Sequence, residues 1–351
     1  MSMSKGILAD LFVATQRRRT RRLREATALV QRFLRLGSPW AARESTVEVP
    51  RRQAPAVDGQ PGQFVAGSYA GEAGARPYKL YIPTSYAEQR LPLVVMLHGC
   101  TQTADAFADG TRMNALAEEQ RCFVLYPEQT QAANRSRCWN WFKRGDQARD
   151  RGEPAILAGM TLEVMRRYRI DRGRVYVAGL SAGGAMAAVM GTAYPEIFAA
   201  VGVHSGLACG SAHDLASALA AMRGRPSGKG CTRSSSTPQA AATPTIVFHG
   251  DRDKTVHPRN GEHVVSRSLK QNGTSSAEPS VEHAQIPDGH AYTRTLHRDS
   301  AGRVVLEYWL VHGGGHAWFG GTPGGSYTDP QGPDATREMI RFFHQNASGR
   351  S

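Results

Sequence analysis

The sequence lacks long apolar runs and closely paired cysteines, and each absence narrows the class of protein. No stretch of about 18 apolar residues occurs in the 351-residue chain, so no membrane-spanning helix is predicted. The 5 cysteines show no C-x-x-C spacing, which argues against a zinc site. Because 40% of the residues are hydrophobic, the chain can still bury a large core, and a folded protein is expected.

The N-terminus also lacks the order of a secretory signal. Its apolar stretch, residues 7–14, is short, is interrupted by Asp10 and precedes the arginines instead of following them. We therefore expect a cytoplasmic protein in which the cysteines are mostly reduced. For an exported chain, the disulfide pairs that we would expect are Cys100–Cys138 and Cys209–Cys231.

Acidic residues are scarce near the N-terminus, and this scarcity accounts for most of the net charge of +13. Residues 1–52 hold 12 Lys and Arg against 4 Asp and Glu, whereas the remaining chain is nearly balanced. Apolar residues recur between these arginines at helical spacing, at Leu23, Ala26, Val30 and Phe33, which predicts a basic amphipathic helix. This helix either docks on its own domain or binds an anionic or lipid-coated particle. A nucleic-acid partner is disfavoured, because no nucleic-acid-binding motif is present.

Beyond the arm, short apolar segments alternate with helical patterns. Examples are "LPLVVMLHG", "RVYVAGLS" and "TPTIVFHGDRD". This alternation predicts an α/β fold, a mainly parallel sheet with helices on both faces. We assign residues 1–60 to the arm and its linker and residues 61–351 to one domain. Residues 208–243, rich in Gly, Ser, Ala and Pro, are predicted to be an inserted loop or lid.

A serine lies between a strand pattern and a helix pattern in "VYVAGLSAGGAMA". Residues 179–183 fit G-x-S-x-G, in which the chain turns sharply from a strand into a helix. Side chains at the two glycine positions would clash with neighbouring backbone at such a strained turn. Ser181 is therefore the predicted nucleophile, and the helix that begins at Ala182 directs its positive end at a developing anion.

A serine nucleophile needs a base and a carboxylate that orients the base. "VFHGDRDKTV" offers two carboxylates after a strand; we predict Asp253, which lies farther beyond the strand end, with Asp251 as the alternative. Among the 12 histidines, His316 in the glycine-rich "VHGGGHAWFGG" is the predicted base, and His312 is its competitor. Three consecutive glycines argue against a helix that would align both histidines on a metal.

Acyl transfer also needs N–H donors directed at the oxyanion. We expect one from Ala182, the residue after the nucleophile, and one from Cys100, in the loop after the "VVMLHG" strand. Each such donor is worth about 3 kcal/mol of the barrier. His98 and His249 end strands and are expected to satisfy backbone groups.

Several separated motifs together resemble one known family. In chain order they are "LPLVVMLHGCTQTADAFADGTRMNALAEEQRCFVLYPEQ", "CWNWF", "VYVAGLSAGGAMA", "HGDRDKTVHPRN" and "GGGHAWFGG". They resemble the polyhydroxybutyrate depolymerase family of esterases, α/β-hydrolases related to the feruloyl and acetylxylan esterases, over roughly residues 75–345. The resemblance implies a catalytic triad and an oxyanion hole formed by Ser181, Asp253, His316, Cys100 and Ala182.

The resemblance also concerns the substrate. It implies that Trp139 and Trp141 line a substrate groove, and we add Trp318 to them, although tryptophans more often lie in the core. The implied function is a serine esterase that hydrolyses poly(3-hydroxybutyrate) or its oligomers through an acyl-enzyme, with no metal or organic cofactor. A feruloyl- or acetylxylan-type esterase is the alternative, and a non-catalytic granule- or surface-binding protein is a distant one.

Members of this family that degrade solid polymer usually carry a signal peptide, a linker and a polymer-binding domain, and we expect none of these from the sequence. We therefore expect the substrate to be an intracellular amorphous granule, soluble oligomers or another ester. The basic N-terminal arm is the segment expected to hold the enzyme at a granule surface.

Overall fold

The computed structural model describes residues 62–227, 231, 242–272 and 278–348. All of them belong to one unit, Gly59–Ser351. The predicted arm and its basic helix lie outside the described residues, as does part of the predicted insertion at residues 208–243. No helix in the described ranges is both long and apolar enough to cross a membrane.

The described residues form a large sheet with a parallel centre. The strands are β1 Gln63–Gly71, β2 Gly74–Ile82, β3 Leu91–Leu97, β4 Phe123–Pro127, β5 Ile170–Leu180, β6 Ala200–His204, β7 Thr245–Gly250, β8 Ser280–Gln285, β9 Ala291–Arg298, β10 Val304–Val311, β11 Trp318–Phe319 and β12 Thr328–Asp329. The first ten are ordered β1-β2-β4-β3-β5-β6-β7-β10-β9-β8, and β11 pairs separately with β12. The central strands from β4 to β10 are parallel, and antiparallel strands flank them at both sides.

Helices cover both faces of this sheet, as the sequence predicts. They are α1 Ala104–Thr111, α2 Met113–Gln120, α3 Gly152–Arg167, α4 Ala182–Ala193, α5 Leu215–Met222, α6 Arg259–Asn272 and α7 Ala335–Gln345. Successive residues of β3 enter opposite cores: Leu93 packs with residues of α3 and α4, and Val94 packs with residues of α1, α2 and α7. Every residue of β3 is buried for this reason.

The edges of the sheet depart from the sequence prediction. The alternation in "YKLYIP" predicts an edge strand, but β1 lies outside β2 and takes that position. At the other side, β8 is largely exposed and β9 is half-buried, and both carry many polar residues, so they lack the continuous apolar runs by which the central strands are recognised. Short apolar runs thus identify the strands buried on two faces and miss the outermost ones.

The insertion at residues 208–243 is not all loop. Helix α5 lies within it, and its N-terminus carries a reciprocal cap. The Asp214 carboxylate accepts the Ser217 N–H at 2.7 Å, and the Ser217 hydroxyl accepts the Asp214 N–H at 3.0 Å. The small residues of "LASALAAM" then favour the helix.

The cysteines form the two pairs expected for an exported chain. Disulfides join Cys100 to Cys138 and Cys209 to Cys231, and the remaining Cys122 is buried and free. Burial raises the pKa of the Cys122 thiol to about 12, so it stays protonated and unreactive. The expectation of mostly reduced cysteines therefore does not match this structure.

Candidate active site

Ser181 occupies a sharp turn between β5 and α4. Its backbone has φ 58° and ψ −117°, a conformation that non-glycine residues rarely adopt. A Cβ added to Gly179 would lie 2.6 Å from the carbonyl oxygen of Leu97, and one on Gly183 would lie 2.6 Å from that of His98. Only glycine fits at either position, so the steric reason for the G-x-S-x-G pattern is visible in the backbone.

The three predicted catalytic side chains form one hydrogen-bonded chain. His316 Nε2 lies 2.9 Å from Ser181 Oγ, and His316 Nδ1 lies 2.6 Å from Asp253 Oδ2. The carboxylate is fully buried, whereas the imidazole side chain is 11% exposed. The imidazole can therefore exchange a proton with the serine while the carboxylate fixes its orientation.

The surroundings of Asp253 keep it ionised. Its Oδ1 accepts the N–H groups of Thr255 and Val256, both at 2.8 Å. Burial by itself would raise the pKa of Asp253, but hydrogen bonds from His249 and His316, together with their charges, hold it well below its usual value. A permanent carboxylate is the state that can stabilise an imidazolium at His316.

Two further histidines pack around this pair. His249 Nε2 donates to the carbonyl of Val256 at 2.8 Å and lies 3.4 Å from Asp253 Oδ2, so it satisfies a backbone group as expected. The imidazole of His204 accepts the Phe319 N–H at 3.1 Å. Burial, followed by the charges of His249 and His316, holds the pKa of His204 far below its usual value, and this ring is therefore neutral.

The competing residues Asp251 and His312 pair with each other. Asp251 Oδ2 lies 3.2 Å from His312 Nδ1, and Asp251 Oδ1 accepts the Gly313 N–H at 2.7 Å. His312 Nε2 is hydrogen-bonded to the Thr293 hydroxyl at 2.9 Å. The two histidines of "HGGGH" thus engage separate carboxylates. No group of three or more His, Cys, Asp or Glu side chains in the described ranges is arranged to hold a metal ion.

The loop after β3 lies against the serine turn. A Cβ on Gly99 would lie 3.6 Å from the carbonyl oxygen of Leu180, the residue before the serine. Two hydrogen bonds fix this loop: the Gly99 N–H donates to Gln102 Oε1 at 2.9 Å, and the Thr101 N–H donates to the Ser136 carbonyl at 2.7 Å. The disulfide of Cys100 attaches the same loop to the segment that contains Ser136.

The imidazole of His98 is hydrogen-bonded to this loop. Its Nδ1 donates to the Gly99 carbonyl at 2.7 Å, and its Nε2 accepts the Gln129 N–H at 3.0 Å. The Gln129 side chain in turn donates to the buried carboxylate of Glu153. As expected from the sequence, His98 satisfies backbone groups, and it also fixes the course of the loop that contains Cys100.

The three tryptophans considered as substrate contacts lie in the core. Trp139 is 0% exposed, Trp318 is 1% exposed and Trp141 is 6% exposed. The indole N–H of Trp318 donates to the Thr336 hydroxyl at 2.9 Å, so its polar group is satisfied inside the protein. This placement corresponds to the alternative that the sequence left open, in which the tryptophans pack in the core.

The comparison with protein families agrees with this geometry. The model of the family described as "Esterase PHB depolymerase" matches residues 76–284, which is more than half of the chain. The chain belongs to this family. The matched range contains Ser181 and Asp253, whereas His316 lies beyond it and is joined to them by the fold.

The names of the curated relatives of this chain describe two kinds of enzyme. Poly(3-hydroxyalkanoate) depolymerase C of Paucimonas lemoignei is 32% identical over 242 residues, which cover 66% of this chain and 55% of that protein. Feruloyl esterase B of Neurospora crassa is 28% identical over 276 residues, covering 75% of this chain and 86% of that protein. The match to the depolymerase thus spans little more than half of its length.

Solved structures that superpose on this chain support its fold. An acetyl xylan esterase from Aspergillus awamori superposes with a TM-score of 0.64 at 19% identity, covering 80% of this chain and 99% of that one. An S-formylglutathione hydrolase from Agrobacterium tumefaciens gives a TM-score of 0.53 at 14% identity, covering 82% and 96%. The fold is that of the α/β-hydrolase esterases, as the sequence predicts.

Two residues of the site were not predicted from the sequence. Gln102 fixes the loop after β3, and His204 packs beside the Asp253–His316 pair. A weak signal exists for His204, because it ends β6 in "VHSG", and His249 is the next-to-last residue of the neighbouring β7 in "FHG". The carboxyl ends of adjacent parallel strands lie at the same edge of the sheet.

Proposed function

We propose that this protein is a serine carboxylic-ester hydrolase that cleaves poly(3-hydroxybutyrate) or its oligomers. The observation that carries the proposal is the continuous hydrogen-bonded chain from Ser181 through His316 to Asp253 at a strained strand-to-helix turn. Membership of the family and the names of the depolymerase relatives support the substrate class.

The acylation step follows from this geometry. His316 Nε2 takes the proton of Ser181 as Oγ attacks the ester carbonyl carbon, and the imidazolium is stabilised by Asp253. The N–H groups of Ala182 and Cys100 would bind the oxyanion; both residues lie beside the serine turn. The first N–H groups of α4 have no partner within the helix and are free for this task.

Collapse of the tetrahedral intermediate completes the cycle. The bond between the carbonyl carbon and the leaving oxygen breaks, and the leaving alkoxide takes the proton from His316 Nε2. A water molecule then attacks the acyl-enzyme while His316 again acts as the base, which releases the hydroxyacid and restores Ser181.

The first test measures release of 3-hydroxybutyrate and its oligomers from amorphous polyhydroxybutyrate. Wild type should release them, and Ser181→Ala should reduce release by at least about 10³-fold without unfolding the protein. Ser280→Ala, an exposed serine on β8, is the matched control and should retain full activity. Retention of more than about a tenth of the activity by Ser181→Ala would overturn the assignment of the nucleophile.

A feruloyl- or acetylxylan-type esterase is the second candidate. It is favoured by the relative named feruloyl esterase B, because that match covers 86% of the relative, against 55% of the depolymerase. Ethyl ferulate and acetylated xylan should therefore be assayed beside the polyester. Hydrolysis of these esters with no release from the polyester would keep Ser181 as the nucleophile and change the substrate.

We also propose that the enzyme works in an oxidising compartment instead of the cytoplasm. The proposal rests on the two disulfides, which persist where thiols are oxidised. Protein isolated from its native cells and denatured in the presence of a thiol reagent should expose one thiol per chain, that of Cys122. A count of five thiols would favour the cytoplasmic expectation.

Attachment to a polyhydroxybutyrate granule through the basic arm is the alternative to the oxidising compartment, because it needs the cytoplasmic location. The support for this proposal is the positive charge of residues 1–52. The arm lies outside the described residues, so no contact of it enters the argument. Deletion of residues 1–45 should abolish granule binding and leave hydrolysis of soluble esters unchanged. Undiminished granule binding by the truncated protein would reject this role of the arm.

A further inference from the structure

An exposed tyrosine lies beside the loop that contains Cys100. The side chain of Tyr327 is 45% exposed, and its hydroxyl lies 3.4 Å from the hydroxyl of Thr101. Thr101 directly follows Cys100, the proposed oxyanion donor, so the tyrosine borders that side of the site.

The backbone of the same tyrosine is hydrogen-bonded to the segment that follows the base. The carbonyl oxygen of Tyr327 accepts the N–H of Trp318, two residues after His316, at 2.7 Å. This hydrogen bond is part of the pairing between β11 and β12. Tyr327 therefore contacts the loop that carries the proposed oxyanion donor through its side chain and the segment that follows the base through its backbone.

Rigid contacts hold the tyrosine in a strained backbone conformation. Tyr327 has φ 54°, and its neighbour Thr101 has φ 66°, both in the left-handed region that favours glycine. The Gln102 side chain donates to the Ser326 carbonyl at 2.9 Å, which ties the tyrosine segment to the loop after β3. Strained residues that the surrounding structure fixes in this way cluster at functional sites.

We propose that Tyr327 is a specificity-determining residue whose ring forms one wall of the ester-binding groove. The proposal rests on the esterase function proposed above. The ring supplies apolar surface for the aliphatic chain of the ester next to its carbonyl group, with a polar tip at the rim. The tryptophans that were expected to do this are buried, whereas Tyr327 offers its surface to solvent.

The test compares a short ester with a longer one, p-nitrophenyl acetate with p-nitrophenyl hexanoate. Tyr327→Ala should raise KM for the hexanoate about 5- to 10-fold, because apolar contact with the longer chain is lost. Values of kcat/KM for the acetate should stay within about twofold, since its acyl group is too short to reach the ring. Tyr327→Phe should behave as wild type, because the ring makes the contact.

Two further variants separate this role from folding. Tyr327→Gly removes the ring and relieves the backbone strain, so it should show a Tm equal to or above that of wild type and the same loss of selectivity. Val281→Ala is the matched control, because Val281 on β8 is a similarly exposed apolar residue, with 52% exposure. Its kinetics should be unchanged on both esters.

The outcomes distinguish this inference from the proposed function. An active wild type whose Ser181 reacts with a fluorophosphonate, combined with unchanged selectivity in Tyr327→Ala, overturns the inference alone. An equal fall in kcat on both esters also overturns it, because that result assigns Tyr327 to support of the oxyanion loop. An inactive wild type without fluorophosphonate labelling overturns both the function and the inference.

Discussion

The loop after β7 carries two aspartates, the loop after β10 carries two histidines, and each aspartate pairs with one histidine. The Asp253–His316 pair is 2.6 Å apart, with side chains that are 0% and 11% exposed. The Asp251–His312 pair is 3.2 Å apart, with side chains that are 36% and 41% exposed. The same residue types, two and four positions apart in the chain, thus occupy very different surroundings.

The second imidazole nitrogen explains what each pair can do. His316 presents Nε2 to a serine on a strained turn beside a helix N-terminus, whereas His312 presents Nε2 to the Thr293 hydroxyl in the middle of a strand. The more exposed Asp251–His312 pair, which we call the outer pair, instead joins the two loops, because Asp251 also accepts the Gly313 N–H. Burial and the identity of the third partner therefore distinguish the proposed catalytic pair, Asp253–His316, from the pair that joins the two loops.

The largest effect should come from breaking the buried Asp253–His316 pair, which we call the inner pair. Asp253→Asn should lower kcat for p-nitrophenyl acetate about 10³- to 10⁴-fold, because the amide no longer stabilises the imidazolium or fixes its tautomer. The amide oxygen can still accept the N–H groups of Thr255 and Val256, so Tm should change little. A loss smaller than about tenfold would mean that another carboxylate orients His316.

Acid should lower the stability of the protein through His204, a buried neighbour of the Asp253–His316 pair. Because burial and the adjacent histidines lower its pKa, the native state binds fewer protons than the unfolded state below the ordinary histidine value of 6.5. Stability is complete above that pH and should fall by about 1.4 kcal/mol per pH unit below it for this group. Thermal unfolding followed between pH 7 and pH 5 measures this slope.

A matched pair of variants tests the origin of that slope. His204→Gln should reduce the slope of Tm against pH, because glutamine does not titrate and can still accept the Phe319 N–H. Part of the slope should remain, since burial also lowers the pKa of His98. His283→Gln, at an exposed position on β8, should leave the slope as it is in wild type. An unchanged slope in His204→Gln would assign the acid sensitivity to another group.

A smaller effect is expected from the outer pair. Asp251→Ala removes both bonds to the His312–Gly313 segment, and kcat should fall about tenfold with little change in KM, because His316 is then less well positioned. Asp251→Asn should recover most of the activity, since its oxygen can still accept the Gly313 N–H. Glu282→Ala, which breaks a surface ion pair with Arg294, is the control and should be silent.

The smallest effect should follow from Thr293→Val. This change removes only the hydroxyl bonded to His312, at a partly exposed position, and kcat/KM should fall less than about twofold. The measurement sharpens the comparison, because it asks whether the outer set of hydroxyl, imidazole and carboxylate has a chemical role. A loss above about tenfold would give it one.

The central sheet and the sharp turn at Ser181 could be predicted because local rules govern both. A strand buried on two faces needs a continuous apolar run, and the turn at Ser181 needs two glycines where a Cβ would meet backbone oxygens. Each requirement concerns only a few consecutive residues of the sequence. The order serine, aspartate, histidine then limited the search for partners.

The choice among partners and the substrate contacts depends on distances that no local pattern records. Asp251 and Asp253 are equally polar residues after one strand, and only the opposing loop decides which meets His316. Trp318, for example, is buried against Phe107 of α1 and Thr336 of α7, and no pattern around the tryptophan records these contacts. Tyr327 follows a glycine-rich stretch with no motif, so its position at the site emerges only from the pairing of β11 with β12.

The spacing of the three catalytic residues has a consequence for the synthesis of the protein. Ser181 precedes His316 by 135 residues, and Asp253 precedes it by 63. At about 5–20 residues per second, the serine leaves the ribosome many seconds before its base exists, and strand β10 must join the sheet before the base can reach it. We therefore expect the serine of the nascent chain to be inert, and the appearance of the proposed esterase activity should report the docking of the C-terminal strands.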